Sequence, residues 1–277
     1  MLPAAGSTQP PSVREYKDVV YATVEGKPLA LDLYVPSRAD AAPLLVWVHG
    51  GAWSGGTKAK PPRHFIEHGL ATASLDFRQS TEARFPAQVH DIKAAIRFLR
   101  ARAQTYGYRA DRIAIAGSSS GGHLAALVGV TSGHPALEGT VGDHRRESSA
   151  VHAIVSYFGA SNLQTILAQS TPFGLNMRRP ALERLLGALP DEARELAKLA
   201  SPVEHVDRQD PPLFLLHGDQ DPQMPINQSH ELHGAYERLG LDAQLRVLHG
   251  AAHGGNVFYS PPHLKPVLDF LDRVIGR

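Results

Sequence analysis

The sequence predicts an α/β fold: a mostly parallel eight-stranded sheet with helices on both faces and a small cap insertion. Three observations carry this reading. Short apolar runs alternate with segments of helical period along most of the chain, the pattern of a sheet whose strands are joined by crossover helices. Leu44-Leu45-Val46-Trp47-Val48 is apolar throughout, as a strand covered on both faces should be. One long stretch, from Ser161 to about Glu204, breaks the alternation and is interrupted by Pro172, Pro180, Pro190 and Pro202.

Taken in order, residues 16–24 and 29–35 read as a hairpin turned through Glu25-Gly26-Lys27-Pro28. Residues 44–48 form the next strand, and residues 71–76 another after a short helix. Val89, Ile92, Ile96 and Leu99 share one helical face between Pro86 and Tyr106. Gly107-Tyr108-Arg109-Ala110-Asp111 is turn-like and opens a short strand over 112–116, followed by a helix-compatible run over 122–130. Residues 153–158 and 213–216 are strands, 226–239 a helix, 244–248 a strand and 263–275 the last helix. The stretch over 161–204 lies between two core strands and is expected to cap the site, because long excursions in compact domains usually serve function. A surface excursion without a role in selectivity is the alternative.

Composition bounds the rest. The chain has 277 residues, 43% hydrophobic and 20% charged, enough for one well-buried domain over 13–277 behind a flexible leader over 1–12. The leader lacks the basic and apolar regions of a signal peptide, and no apolar run is long enough for a membrane helix. A formal net charge of +1 without a basic stripe points away from nucleic acid and membrane partners. Cysteine is absent, which excludes disulfides, thiolate metal sites and a cysteine nucleophile.

The chemistry is concentrated in four places. Gly117-Ser118-Ser119-Ser120-Gly121 sits between a strand pattern and a helix pattern, the context of a nucleophile elbow centred on Ser119. A serine hydroxyl needs a histidine to accept its proton, and that histidine needs a carboxylate to hold its tautomer. Asp219 and Asp221 follow the 213–216 strand, where ligand sites gather in open α/β sheets. His249 and His253 follow the 244–248 strand; His253 lies among small residues on a loop, whereas His249 reads as a packed or hydrogen-bonded side chain. The glycines at 250, 254 and 255 argue against a helical metal pair, and His230-Glu231-Leu232-His233 is one residue short of the zinc pattern, so no metal or cofactor is expected. Finally, His49-Gly50-Gly51-Ala52-Trp53 follows the 44–48 strand and can expose backbone N–H donors, each worth about 3 kcal/mol to a developing oxyanion.

Together these segments resemble serine esterases of the α/β-hydrolase superfamily, on the branch related to hormone-sensitive-lipase-like enzymes and closest to acetyl-xylan and feruloyl esterases. Supporting segments are Ser74-Leu75-Asp76-Phe77-Arg78, Phe85-Pro86-Ala87-Gln88, Asp111-Arg112-Ile113, the elbow continuing into Gly122-His123-Leu124-Ala125-Ala126, and Ala200-Ser201-Pro202-Val203. The resemblance covers nearly everything after the leader. It implies Ser119, Asp221 and His253 as the catalytic triad, with Asp219 as a turn residue, and an oxyanion hole from the N–H groups of Gly51, Ala52 and Ser120. Two departures stand out: Ser120 replaces the usual Ala, and Gly159-Ala160-Ser161-Asn162 replaces Gly-Pro-Thr-Asp. The implied reaction is hydrolysis of a small-molecule or carbohydrate-linked ester through an acyl-enzyme. A serine peptidase, an acyltransferase and a non-catalytic binding protein on the same scaffold are the alternatives. Trp53 and the region of Phe173 and Leu175 fit either a substrate pocket or packing.

Overall fold

The computed structural model describes residues 12–37 and 41–276. The expected leader lies outside these residues apart from Ser12, whose carbonyl accepts from the Ser37 N–H at 2.7 Å. The strands are β1 (Val13–Val24), β2 (Lys27–Pro36), β3 (Ala42–Val48), β4 (Ala71–Leu75), β5 (Tyr108–Ser118), β6 (Ala153–Tyr157), β7 (Leu213–Gly218) and β8 (Ala243–Leu248). They form one sheet in the order β1-β2-β4-β3-β5-β6-β7-β8. The β1–β2 and β2–β4 pairings are antiparallel and the others parallel. The helices are α1 (Arg63–Glu67), α2 (Ala87–Tyr106), α3 (Ser120–Gly129), α4 (Pro135–Glu138), α5 (Ile166–Gln169), α6 (Pro172–Leu186), α7 (Arg194–Leu199), α8 (Asn227–Arg238) and α9 (Pro261–Ile275).

The period of two in a strand sends alternate side chains to opposite faces, and two separate cores result. Leu44, Val46, Val48, Ile113 and Ile115 pack with α2, α3 and α8. Leu45, Trp47, Ala114 and Ala116 pack with Phe65 of α1 and with Val267, Phe270 and Leu271 of α9. Burying one such Leu or Ile contributes roughly 2 kcal/mol. The stripe Val89, Ile92, Ile96 and Leu99 of α2 is fully buried, which explains its period in the sequence.

Two local expectations are corrected. Residues 108–111 are strand rather than turn: Arg109 pairs with Pro43, and the register then jumps to Ile113 opposite Leu44. The intervening residues, including exposed Asp111 and Arg112, form a bulge that mimics a turn in sequence. Pro180 does not break the 161–204 stretch, because α6 continues through it. Its missing N–H would have met the carbonyl of Asn176, and both residues are exposed, so the lost bond does not leave a buried group unsatisfied. α6 is capped by the Thr171 hydroxyl, which accepts from the Gly174 N–H at 3.1 Å.

The glycines of the elbow are required by close approach. A Cβ on Gly117 would sit 2.3 Å from the Gly121 carbonyl oxygen, and one on Gly121 would sit 2.2 Å from that of Val48. Gly121→Ala is therefore expected to destabilise the fold by about 3 kcal/mol, as overpacking against backbone does. Urea unfolding of the variant checks this; an unchanged midpoint would contradict the packing described.

Candidate active site

The candidate nucleophile, acids, bases and oxyanion-loop residues follow the carboxyl ends of β3, β5, β7 and β8, whereas Phe173 and Leu175 lie on α6. Because β3 and β5 are neighbours, the turn after β3 lies against the elbow after β5. A Cβ on Gly50 would stand 3.2 Å from the Cβ of Ser119.

Ser119 has φ 55° and ψ −123°. Such strain in a non-glycine residue costs about 1–3 kcal/mol and needs support from its surroundings. The Ser119 N–H donates to the Tyr157 carbonyl at 2.8 Å, and the Ser119 carbonyl accepts from the His123 N–H at 3.0 Å. Its side chain thus stands at the start of α3, half-buried and open to a ligand.

His253 Nε2 lies 2.9 Å from Ser119 Oγ, and His253 Nδ1 lies 2.6 Å from Asp221 Oδ2. Phe158 meets the imidazole edge-on, with ring centroids 4.7 Å apart. Asp221 has a fully buried carboxylate. Its Oδ1 accepts from the Gln223 and Met224 N–H groups at 2.8 and 2.9 Å. Burial alone would raise its pKa, but hydrogen bonds from His217, His253 and the Met224 amide outweigh it and hold the group well below the usual carboxylate range. An ionised Asp221 draws the proton of His253 to Nδ1 and leaves Nε2 to accept the Ser119 hydroxyl. The line can therefore carry a proton from Ser119 to the histidine while the carboxylate balances the charge.

His217 is a second partner of Asp221. Its Nε2 donates to the Met224 carbonyl at 3.0 Å and lies 3.4 Å from Asp221 Oδ2, while Nδ1 accepts from the Ser229 hydroxyl at 2.7 Å. Its role and that of Phe158 were not drawn from the sequence. The signal for His217 was present as the first residue of His217-Gly218-Asp219-Gln220-Asp221.

The other candidates separate cleanly. Asp219 bonds His249 Nδ1 at 2.8 Å and the Gly250 N–H at 2.7 Å, joining two loops outside the line. His249 is 87% exposed. In the turn after β3, the Ser54 and Gly55 N–H groups donate to the Gly51 carbonyl at 3.0 and 2.9 Å. The amides of Gly51 and Ala52 take no part in those bonds, and the amide of Ser120, first in α3, has no partner within its helix. Trp53 is buried and donates its indole N–H to His123, so it takes the packing role. Phe173 is exposed on α6. The 161–204 segment docks on the acid loop: the Thr171 hydroxyl donates to the Pro222 carbonyl at 3.0 Å and Arg178 Nε to that of Gln223 at 3.0 Å.

A strained serine at a strand-to-helix turn, linked through histidine to a buried carboxylate on this sheet, defines the α/β-hydrolase class of the hormone-sensitive-lipase-like type. The chain belongs to the BD-FAE family, whose model matches residues 31–236. It is similar to Esterase LipC of Mycobacterium tuberculosis, with 31% identity over 225 residues, covering 77% of this chain and 53% of LipC. The chain thus spans about half the length of the curated relatives it matches. Its structure is similar to a truncated carbohydrate esterase from gut microbiota, with TM-score 0.85 and 29% identity, covering 96% of this chain and 98% of that one. It is also similar to esterase 2 of Thermogutta terrifontis solved with butyrate bound, with TM-score 0.72 and 26% identity over 96% of this chain and 94% of that one.

Asp221 gives a pH prediction with a definite sign. Its folded pKa is depressed, so its contribution to stability is fully present above its unfolded pKa of about 4 and is lost as pH falls from there toward the folded value. The stability difference between the wild type and Asp221→Asn should shrink as pH falls below about 4. Urea unfolding at a series of pH values measures it; a difference that grows as pH falls below about 4 would contradict the charged, hydrogen-bonded state.

Proposed function

We propose that the protein is a carboxylic ester hydrolase working through a Ser119–His253–Asp221 triad. The observation that carries this reading is the unbroken line from Asp221 Oδ2 to His253 Nδ1 at 2.6 Å and from His253 Nε2 to Ser119 Oγ at 2.9 Å. Ser119 Oγ attacks the ester carbonyl as His253 Nε2 takes its proton. The carbonyl electron pair moves to oxygen, where the amides of Gly51, Ala52 and Ser120 stabilise it. His253 returns the proton to the departing alcohol oxygen, and an acyl-enzyme remains. Water, deprotonated by the same histidine, releases the acid. No step calls for a metal or a cofactor.

The substrate we assign is a small-molecule or carbohydrate-linked ester carrying a short acyl or a feruloyl or acetyl group. A cavity of about 300 Å³ borders Gly50 and Ser118 and has Trp47, Pro62, His64 and Tyr259 among its walls. That volume is at the lower end for ligand sites, in keeping with compact groups rather than long acyl chains. The two structural neighbours, a carbohydrate esterase and an esterase that binds butyrate, point the same way. We assign the 161–204 segment, seated on the acid loop through Thr171 and Arg178, as a cap beside the triad.

The test is kcat/KM for acetyl, butyryl, octanoyl and feruloyl esters, with Ser119→Ala as the blank. Turnover should be highest on the compact or aromatic acyl groups and fall about 10⁵-fold or more in the variant. Preference for octanoyl would remove the substrate assignment and keep the mechanism. Turnover unchanged in Ser119→Ala would remove the mechanism itself.

A further inference from the structure

The reaction described above leaves one buried histidine beside the nucleophile unused. His123 lies one turn beyond Ser119 on α3 and is 0% exposed. Its Nδ1 accepts from the Trp53 indole N–H at 3.0 Å, the rings meeting at 85° with centroids 5.4 Å apart. Its Nε2 donates to the carbonyl of Ala200 at 2.7 Å, at the C-terminal cap of α7. An indole nitrogen only donates and a carbonyl only accepts, so a single tautomer serves both: Nδ1 bare and Nε2 protonated. Burial pushes the ring pKa down to about 4, which keeps this neutral form in place near neutral pH.

The partner Trp53 matters because of what precedes it. Gly51, Ala52 and Trp53 have φ values of 132°, 53° and 59° in succession. Two adjacent non-glycine residues in the left-handed region persist only where the surroundings over-determine them. The Ser80 N–H holds the Trp53 carbonyl at 2.7 Å, and the bonds to the Gly51 carbonyl close the turn. Those bonds fix the backbone locally. The indole–imidazole bond adds a side-chain hydrogen bond between the turn and the helix that starts at the nucleophile, beside their backbone contact.

We propose that His123 is a positioning residue for the oxyanion hole: the Trp53–His123–Ala200 chain holds the Gly51 and Ala52 amides in register with Ser119 and links that register to the end of the cap segment. The inference rests on reading those amides as oxyanion donors. Ser119 and the hole then move as one body, because His123 belongs to the helix that begins beside the serine. Geometry of this kind affects the transition state more than substrate affinity, since the oxyanion exists only after attack.

The experiment uses the full chain, a p-nitrophenyl butyrate assay and butyl trifluoromethyl ketone as inhibitor. Ser119 Oγ adds to the ketone carbon, its proton passes to His253, and the carbonyl electron pair becomes an oxyanion seated in the hole. Trp53→Phe removes the indole N–H and keeps an aromatic ring. It should lower kcat about 10- to 100-fold and raise the ketone Ki by the same factor, with KM changed less than about twofold. His123→Asn, whose amide oxygen can stand in for Nδ1, should recover most of the activity that His123→Leu loses, and it serves as the test if Trp53→Phe does not fold. Trp53→Phe with kcat and Ki both within about twofold of wild type overturns the proposal, as does equal activity of the Asn and Leu variants at His123. A wild-type enzyme that hydrolyses the ester but ignores the ketone would instead overturn the oxyanion reading beneath it.

Discussion

The close approach of backbone to backbone at the ends of β3 and β5 is the constraint on which the site depends. The Val48 carbonyl stands where a side chain on Gly121 would have to go, and the Gly121 carbonyl stands where one on Gly117 would go. No packing of larger residues gives this spacing. It lets α3 leave β5 at a sharp angle, gives Ser119 its strained backbone, and brings the turn after β3 beside it. Histidine and carboxylate then arrive from strands further along the sheet, on loops with room to adapt.

Charge is placed with equal economy. Asp221 is buried, yet four donors face it: two backbone amides and two imidazoles. A carboxylate so surrounded is held charged and in place, as the proposed proton transfer to His253 requires. The same logic applies to the Ser119 turn, where strain is offset by hydrogen bonds to the Tyr157 carbonyl and from His123.

Much of this was legible in the sequence, for identifiable reasons. Buried strands such as β3 announce themselves because both faces are covered, and α2 because its apolar stripe follows the helical period. Ser119, Asp221 and His253 could be picked out as candidates because each follows directly after a strand, Ser119 and His253 among small residues. What escaped was tertiary. The bulge over 110–112 looks like a turn because Asp111 and Arg112 face water, and only the partner strand shows that pairing resumes at Ile113. Pro180 reads as a helix breaker because sequence does not show that the freed carbonyl faces solvent. The placement of Trp53 depended on a donor–acceptor match with His123, seventy residues away, which no local pattern encodes.

Chain order has a consequence for how the site depends on the sheet. Ser119 precedes His253 by 134 residues, and His253 follows Asp221 by 32. The elbow on β5 is therefore separated in sequence from the loops after β7 and β8 that hold Asp221 and His253. On the proposed reading, the elbow after β5 has its acid and base only when β7 and β8 are both in the sheet, so the far edge of the sheet is part of the site as much as its centre is.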